Sequence, residues 1–273
     1  MNRMFKRSGF RILAVTAIVG AALSSDTWSQ SGLSICVQDA PGEPCTIIKS
    51  GASTGAEFHF VRLAYSDISG DFGRGQRWLI DWPSAEQHLM GGVRRLTRIA
   101  AAEEGTFLSI MDERLFDFPW LYAVEVGGWS LNDIEAERLR DYLLRGGFLM
   151  VDDFHGSREW AGFVESMQRV FPDRPIVDIP LNDSVFHVVY DLEERIQIPG
   201  VQVLYSGSTS ERDGVTPHWR GIYDDEGRLM VVINHNMDLG DAWEHADIPE
   251  YSLQFTTLAY QYAINYIMYA MTH

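Results

Sequence analysis

Two periodicities of apolar residues divide the middle of the chain into strands and helices. Four runs are apolar throughout or alternate with polar residues, which predicts β-strands at 58–65, 106–111, 119–128 and 148–153. Three segments repeat apolar residues at helical spacing, which predicts helices at 81–101, 130–147 and 157–172. Continuous apolar strands alternating with helices are typical of a parallel, doubly wound α/β sheet.

The predicted helices carry capping signals at their starts. Asp81 is predicted to cap the first helix, Ser130 with Asp133 resembles a capping box on the second, and Ser157 is predicted to cap the third. The buried stripe of the second helix is predicted to contain Ile134, Leu139, Tyr142 and Leu143.

The last third of the chain has a different pattern. Residues 219–236 predict a β-hairpin whose turn is Asp224 to Gly227. A long helix is predicted from Pro249 to the end of the chain. Residues 57–273 are therefore predicted to form a single α/β domain.

Several blocks of this domain are specific enough to compare with a known family. They occur in the order "FHFVRLAY", "DWPSAE", "LRDYLLRGGFLMVDDFHGSREW", "IYDDEGRLMVVINHNMDLGDAWE" and "AINYIMYAMTH". Together they resemble the bacterial domain-of-unknown-function family 4159, over roughly Glu57 to His273. The resemblance implies a class I glutamine-amidotransferase-like fold, which is a flavodoxin-like sandwich. It implies no activity.

The chain departs from amidotransferases at the nucleophile. Those enzymes need a cysteine on a strained turn and a histidine that activates it, but no cysteine occurs from Thr46 onward. The sequence also contains no G-x-S-x-G elbow. Glutamine hydrolysis by a cysteine–histidine pair is therefore excluded.

The first 29 residues have the pattern of a signal peptide. Four basic residues precede the apolar run Ile12 to Leu23, and "TWS" offers a cleavage site after Ser29. This predicts a periplasmic or secreted protein, with an uncleaved membrane anchor as the alternative. Residues 30–56 are predicted to form a flexible arm, in which Cys36 and Cys45 either form a disulfide or remain independent thiols.

Net charge limits the classes of partner. The full chain carries −16 at pH 7, and removal of the basic leader makes the remainder more negative. A charge of this sign repels nucleic-acid phosphates and anionic lipid headgroups. A small molecule or an envelope protein is the predicted ligand, with no nucleic-acid partner and no membrane contact after signal cleavage.

The first group of candidate site residues follows the strand at 148–153. Asp152, Asp153 and His155 are the candidate catalytic residues, because ligands bind at the carboxyl ends of strands in an open parallel sheet. Since side chains alternate along a strand, the two carboxylates are expected to point to opposite sides. In the alternative interpretation, Asp153 satisfies backbone amides and His155 lies on the surface.

The second group lies in residues 234–247. Asn234, Asn236 and Asp238 have the spacing of a calcium loop, but the glycine is one position late and His245 stands where the last glutamate belongs. An EF-hand is therefore rejected, and a looser cation site or a self-capping loop remains. The candidate ligand-binding residues are Arg62, Tyr65, His187, His218, Asn234, Asn236, Asp238, Asp241, Trp243 and Glu244.

Several of these candidates have a structural alternative. Arg62 and Tyr65 are predicted at the rim, with a salt-bridged arginine as the alternative, and Trp243 is a ligand platform or a core anchor. His187 is a hydrogen-bonded core histidine unless it converges with Asp152, His155 and His235 on a metal. A divalent metal is thus the one cofactor that the sequence leaves open.

Two functions fit these patterns, and whether the chain is an enzyme stays open. The first is an exported module that binds a ligand or a protein on an amidotransferase-like fold without the nucleophile. The alternative is a metal-assisted hydrolase that uses Asp152 or Asp153 with histidines. A purely structural envelope protein is a third interpretation.

Overall fold

A computed structural model describes residues 14–15, 34–38, 46–49, 55–66 and 77–273. The first three segments are strands β1 (Ala14–Val15), β2 (Ser34–Gln38) and β3 (Thr46–Lys49), which form a small antiparallel sheet. Apart from β1, the predicted signal peptide lies outside the described residues. Cys45 does as well, and with it the predicted disulfide.

A seven-stranded sheet forms the centre of the domain. Its strands are β4 (Val61–Ala64), β5 (Thr106–Ser109), β6 (Trp120–Val124), β7 (Phe148–Asp152), β8 (Val177–Asp178), β9 (His218–Tyr223) and β10 (Leu229–His235). Their order is β5-β4-β6-β7-β10-β9-β8. The first five strands are parallel and the last two pairings are antiparallel. The predicted mostly parallel sheet and its hairpin are therefore confirmed.

Helices cover both faces of this sheet. They are α1 (Ser84–Leu96), α2 (Asp133–Leu144), α3 (Gly156–Val170), α4 (Val203–Ser206), α5 (Leu239–Glu244) and α6 (Leu253–Thr272). Helices α1, α5 and α6 contact one another, and α2 contacts α3. The predicted flavodoxin-like α/β sandwich with a long last helix is confirmed.

Alternation along the strands separates two cores. In β6, Trp120 and Tyr122 pack with residues of α1, α5 and α6, whereas Leu121 and Ala123 pack with residues of α2 and α3. All four side chains are fully buried. Strands buried on both faces read as continuous apolar runs, which is why the sequence shows them clearly.

The strand order creates a crevice at one edge of the sheet. In chain order the five parallel strands run 2-1-3-4-5, so the chain leaves the two neighbours β4 and β6 in opposite directions. The helix after β4 packs on one face and the helix after β6 packs on the other. Ligands of such sheets bind at this carboxyl edge.

The start of α2 differs from its prediction. Asn132, not Ser130, is the N-cap, because its side chain accepts hydrogen bonds from the amides of Ile134 and Glu135. The Glu135 carboxylate accepts one from the Asn132 amide and completes the capping box. This start turns Ile134 to solvent, where it is 66% exposed, so its predicted place in the buried stripe is wrong.

The predicted caps of α1 and α3 are also wrong. Pro83 occupies the N-cap of α1, and Asp81 makes no side-chain cap. Ser157 lies inside the first turn of α3, and its amide donates to Asp213, 56 residues away. The amide of Gly156 donates to Asn236 in the same way. Caps supplied from such distant positions leave no local sequence signal.

Gly91 and Gly92 are neighbours in α1 but have different surroundings. A Cβ on Gly91 would meet no atom within 4 Å, whereas one on Gly92 would overlap the ring of Tyr260 in α6. We expect Gly91→Ala to stabilise the fold by up to about 1 kcal/mol, because glycine loses more backbone entropy in a helix. Gly92→Ala should cost about 1–3 kcal/mol through overpacking. Urea denaturation measures both, and equal effects would contradict this packing of α1 on α6.

Candidate functional site

Five carboxylates gather at the carboxyl edge of the parallel strands. One ends β7 and the next residue follows it, two lie at the start of α5 after β10, and one precedes α1. We call them the carboxyl-edge acid cluster: Asp81, Asp152, Asp153, Asp238 and Asp241. The five groups interact electrostatically. Burial raises the pKa of Asp238, and each of the other four carboxylates raises it further.

Asp152 lies at the base of this cluster and is fully buried. Its Oδ2 accepts hydrogen bonds from the amides of Leu239 at 2.8 Å and Gly240 at 3.0 Å, and from the Tyr122 hydroxyl at 3.1 Å. Its Oδ1 is buried and has no donor among the described residues. Burial raises the pKa of Asp152 to about 7, although the hydrogen bonds oppose this shift.

Asp238 and Asp241 share the first turn of α5. Asp238 Oδ1 accepts from the Asp241 amide at 2.7 Å, and Asp241 Oδ2 accepts from the Val201 amide at 2.6 Å. Burial and the neighbouring carboxylates raise the pKa of Asp238 well above its usual range. Burial also opposes ionisation of Asp241, but hydrogen bonds from His245 and Asp238 outweigh it and lower the Asp241 pKa. The pair therefore favours a charged Asp241 beside a protonated Asp238.

Asp153 and His155 form a second grouping above β7. Asp153 has a left-handed backbone with φ of 47°. Its Oδ1 lies 3.1 Å from Nε2 of His155, and Glu211 lies 3.8 Å from the same nitrogen. Burial raises the pKa of Asp153 and lowers that of His155. His155 is 3% exposed, so its predicted alternative place on the surface is wrong.

The two neighbouring aspartates engage opposite faces of the sheet, as the alternation of strand side chains predicts. Asp152 bonds the backbone of α5, which lies on the face of α1 and α6. Asp153 bonds His155, which is the N-cap of α3 on the other face. The first amides of α3, those of Gly156 and Ser157, donate to Asn236 and Asp213 and not to either of these carboxylates.

A balanced network of charges borders the cluster on the side of α3. Arg77 lies 3.0 Å from Glu125 and 3.5 Å from Glu159, and Arg212 also pairs with Glu159. In contrast, no arginine or lysine among the described residues forms an ion pair with any member of the carboxyl-edge acid cluster. Among the cationic side chains that the structure describes, only the imidazoles of His155 and His245 lie within ion-pair distance of the cluster.

Four predicted ligand-binding residues lie away from the cluster or inside the core. Arg62 is fully buried and pairs with Glu86, so the salt-bridged alternative describes it and the predicted rim position is wrong. Tyr65 is 7% exposed and its hydroxyl donates to the Val124 carbonyl at 2.7 Å. His187 is exposed, not in the core, and bonds Asp191. His218 stacks on His235 with ring centroids 5.7 Å apart.

The four-residue metal site that includes His187 does not form. His155 approaches Asp153 and Glu211, and His235 faces the carbonyl of Gly156, whereas both ring nitrogens of His187 are engaged by Asp191 and the Leu181 carbonyl. The alternative in which these four residues converge on a metal is therefore ruled out.

The asparagines of the loop with calcium-like spacing form hydrogen bonds within the fold. Asn234 accepts a hydrogen bond from Tyr266, and Asn236 accepts from Gly156 and donates to the Thr216 carbonyl. Trp243 is fully buried against Phe60 and Tyr122, so it is the core anchor of the alternative interpretation. Glu244 remains close to Asp241 and His245.

Sequence reasoning missed Asp81 and Tyr122 as members of the site. Asp81 was assigned to a helix cap, and Tyr122 lies in the middle of an apolar strand. The signal for Asp81 is its place in the connection after β4, because that connection leaves the sheet at the carboxyl edge. Tyr122 offers no signal beyond a polar group in an apolar run.

Comparison with known proteins identifies the family. The sequence model of the family described as "Domain of unknown function (DUF4159)" matches residues 59–271, which is most of the chain. The chain belongs to this family. No curated protein matches it.

Burial of Asp152 predicts a pH dependence of stability. Because its folded pKa of about 7 lies above the unfolded value near 3.8, the folded state holds the proton more tightly. The free energy of unfolding should therefore fall as pH rises from about 4 to about 7, by about 4 kcal/mol from this group. In Asp152→Asn this contribution is absent, so the variant should gain stability over the wild type as pH rises.

Urea denaturation of both proteins in the presence of a chelator measures this difference, because a bound metal would oppose the trend. Parallel pH profiles for the two proteins would contradict the burial of an uncompensated carboxyl group at this position.

Proposed function

We propose that this member of the DUF4159 family is an exported binding module that takes a positively charged ligand at the carboxyl-edge acid cluster. The flavodoxin-like strand order supports a ligand site at this edge. The lack of any cysteine from Thr46 onward supports binding over amidotransferase chemistry.

The observation that carries the proposal is the unbalanced charge of the cluster. Like charges in a low-dielectric environment repel, and burial without a counter-charge is costly. Burial together with neighbouring carboxylates raises the pKa of Asp81, Asp153 and Asp238. A cation bound among these groups removes the repulsion, so ligand binding stabilises an arrangement that the free chain holds at a cost.

Export is part of the proposal and is supported by the N-terminal pattern of basic and apolar residues. Within the described residues, no helix is long and apolar enough to cross a membrane. The high negative charge supports a small cationic ligand or a basic patch on an envelope protein, and opposes nucleic acid.

Thermal unfolding with cationic probes tests the proposal. At pH 7, spermidine or Mn²⁺ is expected to raise the melting temperature of the wild type, by an amount that corresponds to about 2.7 kcal/mol at 100 times the dissociation constant. Asp238→Asn should lose most of this shift, because it removes the central carboxyl group, which must give up its proton to bind a cation, and keeps a similar side-chain shape. Sodium chloride at equal ionic strength controls for screening of the acidic chain.

Asp225→Asn is the matched control, because Asp225 is exposed and pairs with Arg174 outside the cluster. If neither cation exceeds the effect of sodium chloride, or if Asp225→Asn loses as much as Asp238→Asn, the proposed function is wrong.

Metal-assisted hydrolysis is the second candidate, and the grouping of Asp153, His155 and Glu211 favours it. Burial lowers the pKa of His155, which supports a neutral imidazole at pH 7. Its Nδ1 is buried without a partner among the described residues, while its Nε2 faces Asp153. A neutral imidazole oriented by a carboxylate is suited to accept a proton from water.

Hydrolysis of p-nitrophenyl acetate and p-nitrophenyl phosphate, with and without Mn²⁺, tests this candidate. His155→Gln should lower any turnover by about 100-fold or more, since general base catalysis contributes that much. His187→Gln, which changes an exposed histidine, should leave the rate unchanged. A wild-type rate equal to buffer, or equal losses in both variants, would reject the hydrolase.

A further inference from the structure

We propose that a divalent metal ion binds where Asp81, Asp238 and Asp241 meet. Each of these residues offers one carboxylate oxygen, and the three oxygens lie within 4.8 Å of one another. The residues come from two separate segments, the connection before α1 and the first turn of α5. This inference rests on the proposed function, because it names the cation that the site takes.

Two glycines allow the carboxylates to approach so closely. A Cβ on Gly240 would lie 2.6 Å from Asp81 Oδ2 and 3.5 Å from Asp238 Oδ1. A Cβ on Gly200 would lie 2.6 Å from Asp238 Oδ2 and 2.8 Å from Asp241 Oδ2. The two oxygens of Asp238 therefore face the other two aspartates, one on each side, and Asp238 is the central residue of the set.

Two buried carboxylate oxygens of the cluster receive no hydrogen bond from an N–H or hydroxyl group among the described residues. Asp81 Oδ2 is shielded from solvent and receives no hydrogen bond from an N–H or hydroxyl group in the described part of the chain, although the Asp81 side chain shares a hydrogen bond with the Glu244 carboxyl group. It crowds the same side of Gly240 as the Tyr122 hydroxyl, which donates to Asp152. Asp152 is 0% exposed and its Oδ1 also lacks a donor. Buried acceptors are almost always satisfied, so these two oxygens of the carboxyl-edge acid cluster favour a cation as the ligand.

The nearest buried cation does not fill this role. The guanidinium of Arg62 pairs with Glu86 and donates to the carbonyls of Trp78 and Ile80. It reaches Asp81 only as a longer-range charge, whose effect on the Asp81 pKa is smaller than that of burial, Asp241 and Asp153. The three aspartates are thus left without a counter-ion of their own.

The donor set selects the type of metal. Carboxylate oxygens are hard ligands that suit Mg²⁺, Mn²⁺ and Ca²⁺, whereas thiolates, which copper and zinc favour, are absent because the sequence has no cysteine from Thr46 onward. Glu244 and His245 lie beside Asp241 and border the site. Asp152 acts as a positioning residue, since it holds the amides of Leu239 and Gly240 between two of the ligands.

Mn²⁺ titration of the full chain, followed by the electron paramagnetic resonance of the free ion, tests the inference. We expect a single ion per chain, with competition by Mg²⁺ or Ca²⁺. Asp81→Asn and Asp241→Asn should each weaken Mn²⁺ binding by about 100-fold. Loss of a residue that only hydrogen-bonds a metal ligand already lowers metal affinity by about 10- to 100-fold, and these two residues are proposed as ligands themselves. Glu211→Gln, in the neighbouring grouping of Asp153 and His155, should bind as the wild type does.

Unfolding measurements show whether a variant loses Mn²⁺ binding because it lacks a ligand or because its fold is less stable. In a chelator, Asp81→Asn should be at least as stable as the wild type, because a neutral amide replaces a carboxyl group whose ionisation its neighbours oppose. In saturating Mn²⁺ the order should reverse. A variant less stable than the wild type in both conditions would contradict a metal-ligand role for Asp81.

The outcomes separate this inference from the proposed function. If spermidine binds and Asp238→Asn abolishes its binding, while Mn²⁺ does not bind, the metal site is wrong and the binding module stands. If Glu211→Gln loses Mn²⁺ and Asp81→Asn does not, the metal belongs to the other grouping and the proposed ligands are wrong. If no cation binds, both proposals fall.

Discussion

The carboxylate of Asp152 is the interaction on which the carboxyl edge depends. One oxygen receives the amides of Leu239 and Gly240 and the hydroxyl of Tyr122, so it joins β7 to β6 and to the start of α5. These are the helix amides that lack intrahelical partners, and a buried acceptor satisfies them. A side chain of this shape that could not accept hydrogen bonds would leave three buried donors unpaired at the position where Asp238 and Asp241 are held.

Burial of the Asp152 carboxylate also has an energetic cost for the fold. A buried carboxylate needs donors to remain in the core, and Asp152 has them on one oxygen only. Its neighbours Asp153 and Asp238 bring further carboxyl groups to the same edge of the sheet, where burial and mutual repulsion raise the pKa of both. Core residues chosen for stability alone would be apolar, since apolar replacements of buried charges often stabilise a fold. The arrangement is therefore better explained by the proposed cation binding than by a contribution to folding.

The elements of the fold were predictable because their signals are local. Apolar runs identified β4, β5, β6 and β7, and helical spacing identified α1, α2 and α3, since each pattern is read within a single segment. The cap of α3 was not predictable, because the amides of Gly156 and Ser157 donate to Asn236 and Asp213, and contacts between such distant positions form only on folding. The same limit applies to the site. Asp152 could be placed at the sheet edge from its strand, but the approach of Asp81 to Asp238 depends on two glycines and on the path of a connecting loop.

Two groups of acidic residues at this edge differ in a way that bears on function. Glu125 and Glu159 are matched by Arg77 and Arg212, which is the usual means by which a protein stabilises partly buried carboxylates. The five aspartates beside them form no ion pair with an arginine in the described residues, although Arg77 and Arg212 belong to the neighbouring charge network. An acidic surface selected for solubility would be exposed and would not require glycine at the points of closest approach. The neighbouring arginines pair with other carboxylates, and two buried oxygens of the aspartates receive no hydrogen bond from an N–H or hydroxyl group in the described residues. These are the properties expected of a site that binds a positively charged ligand from outside the chain.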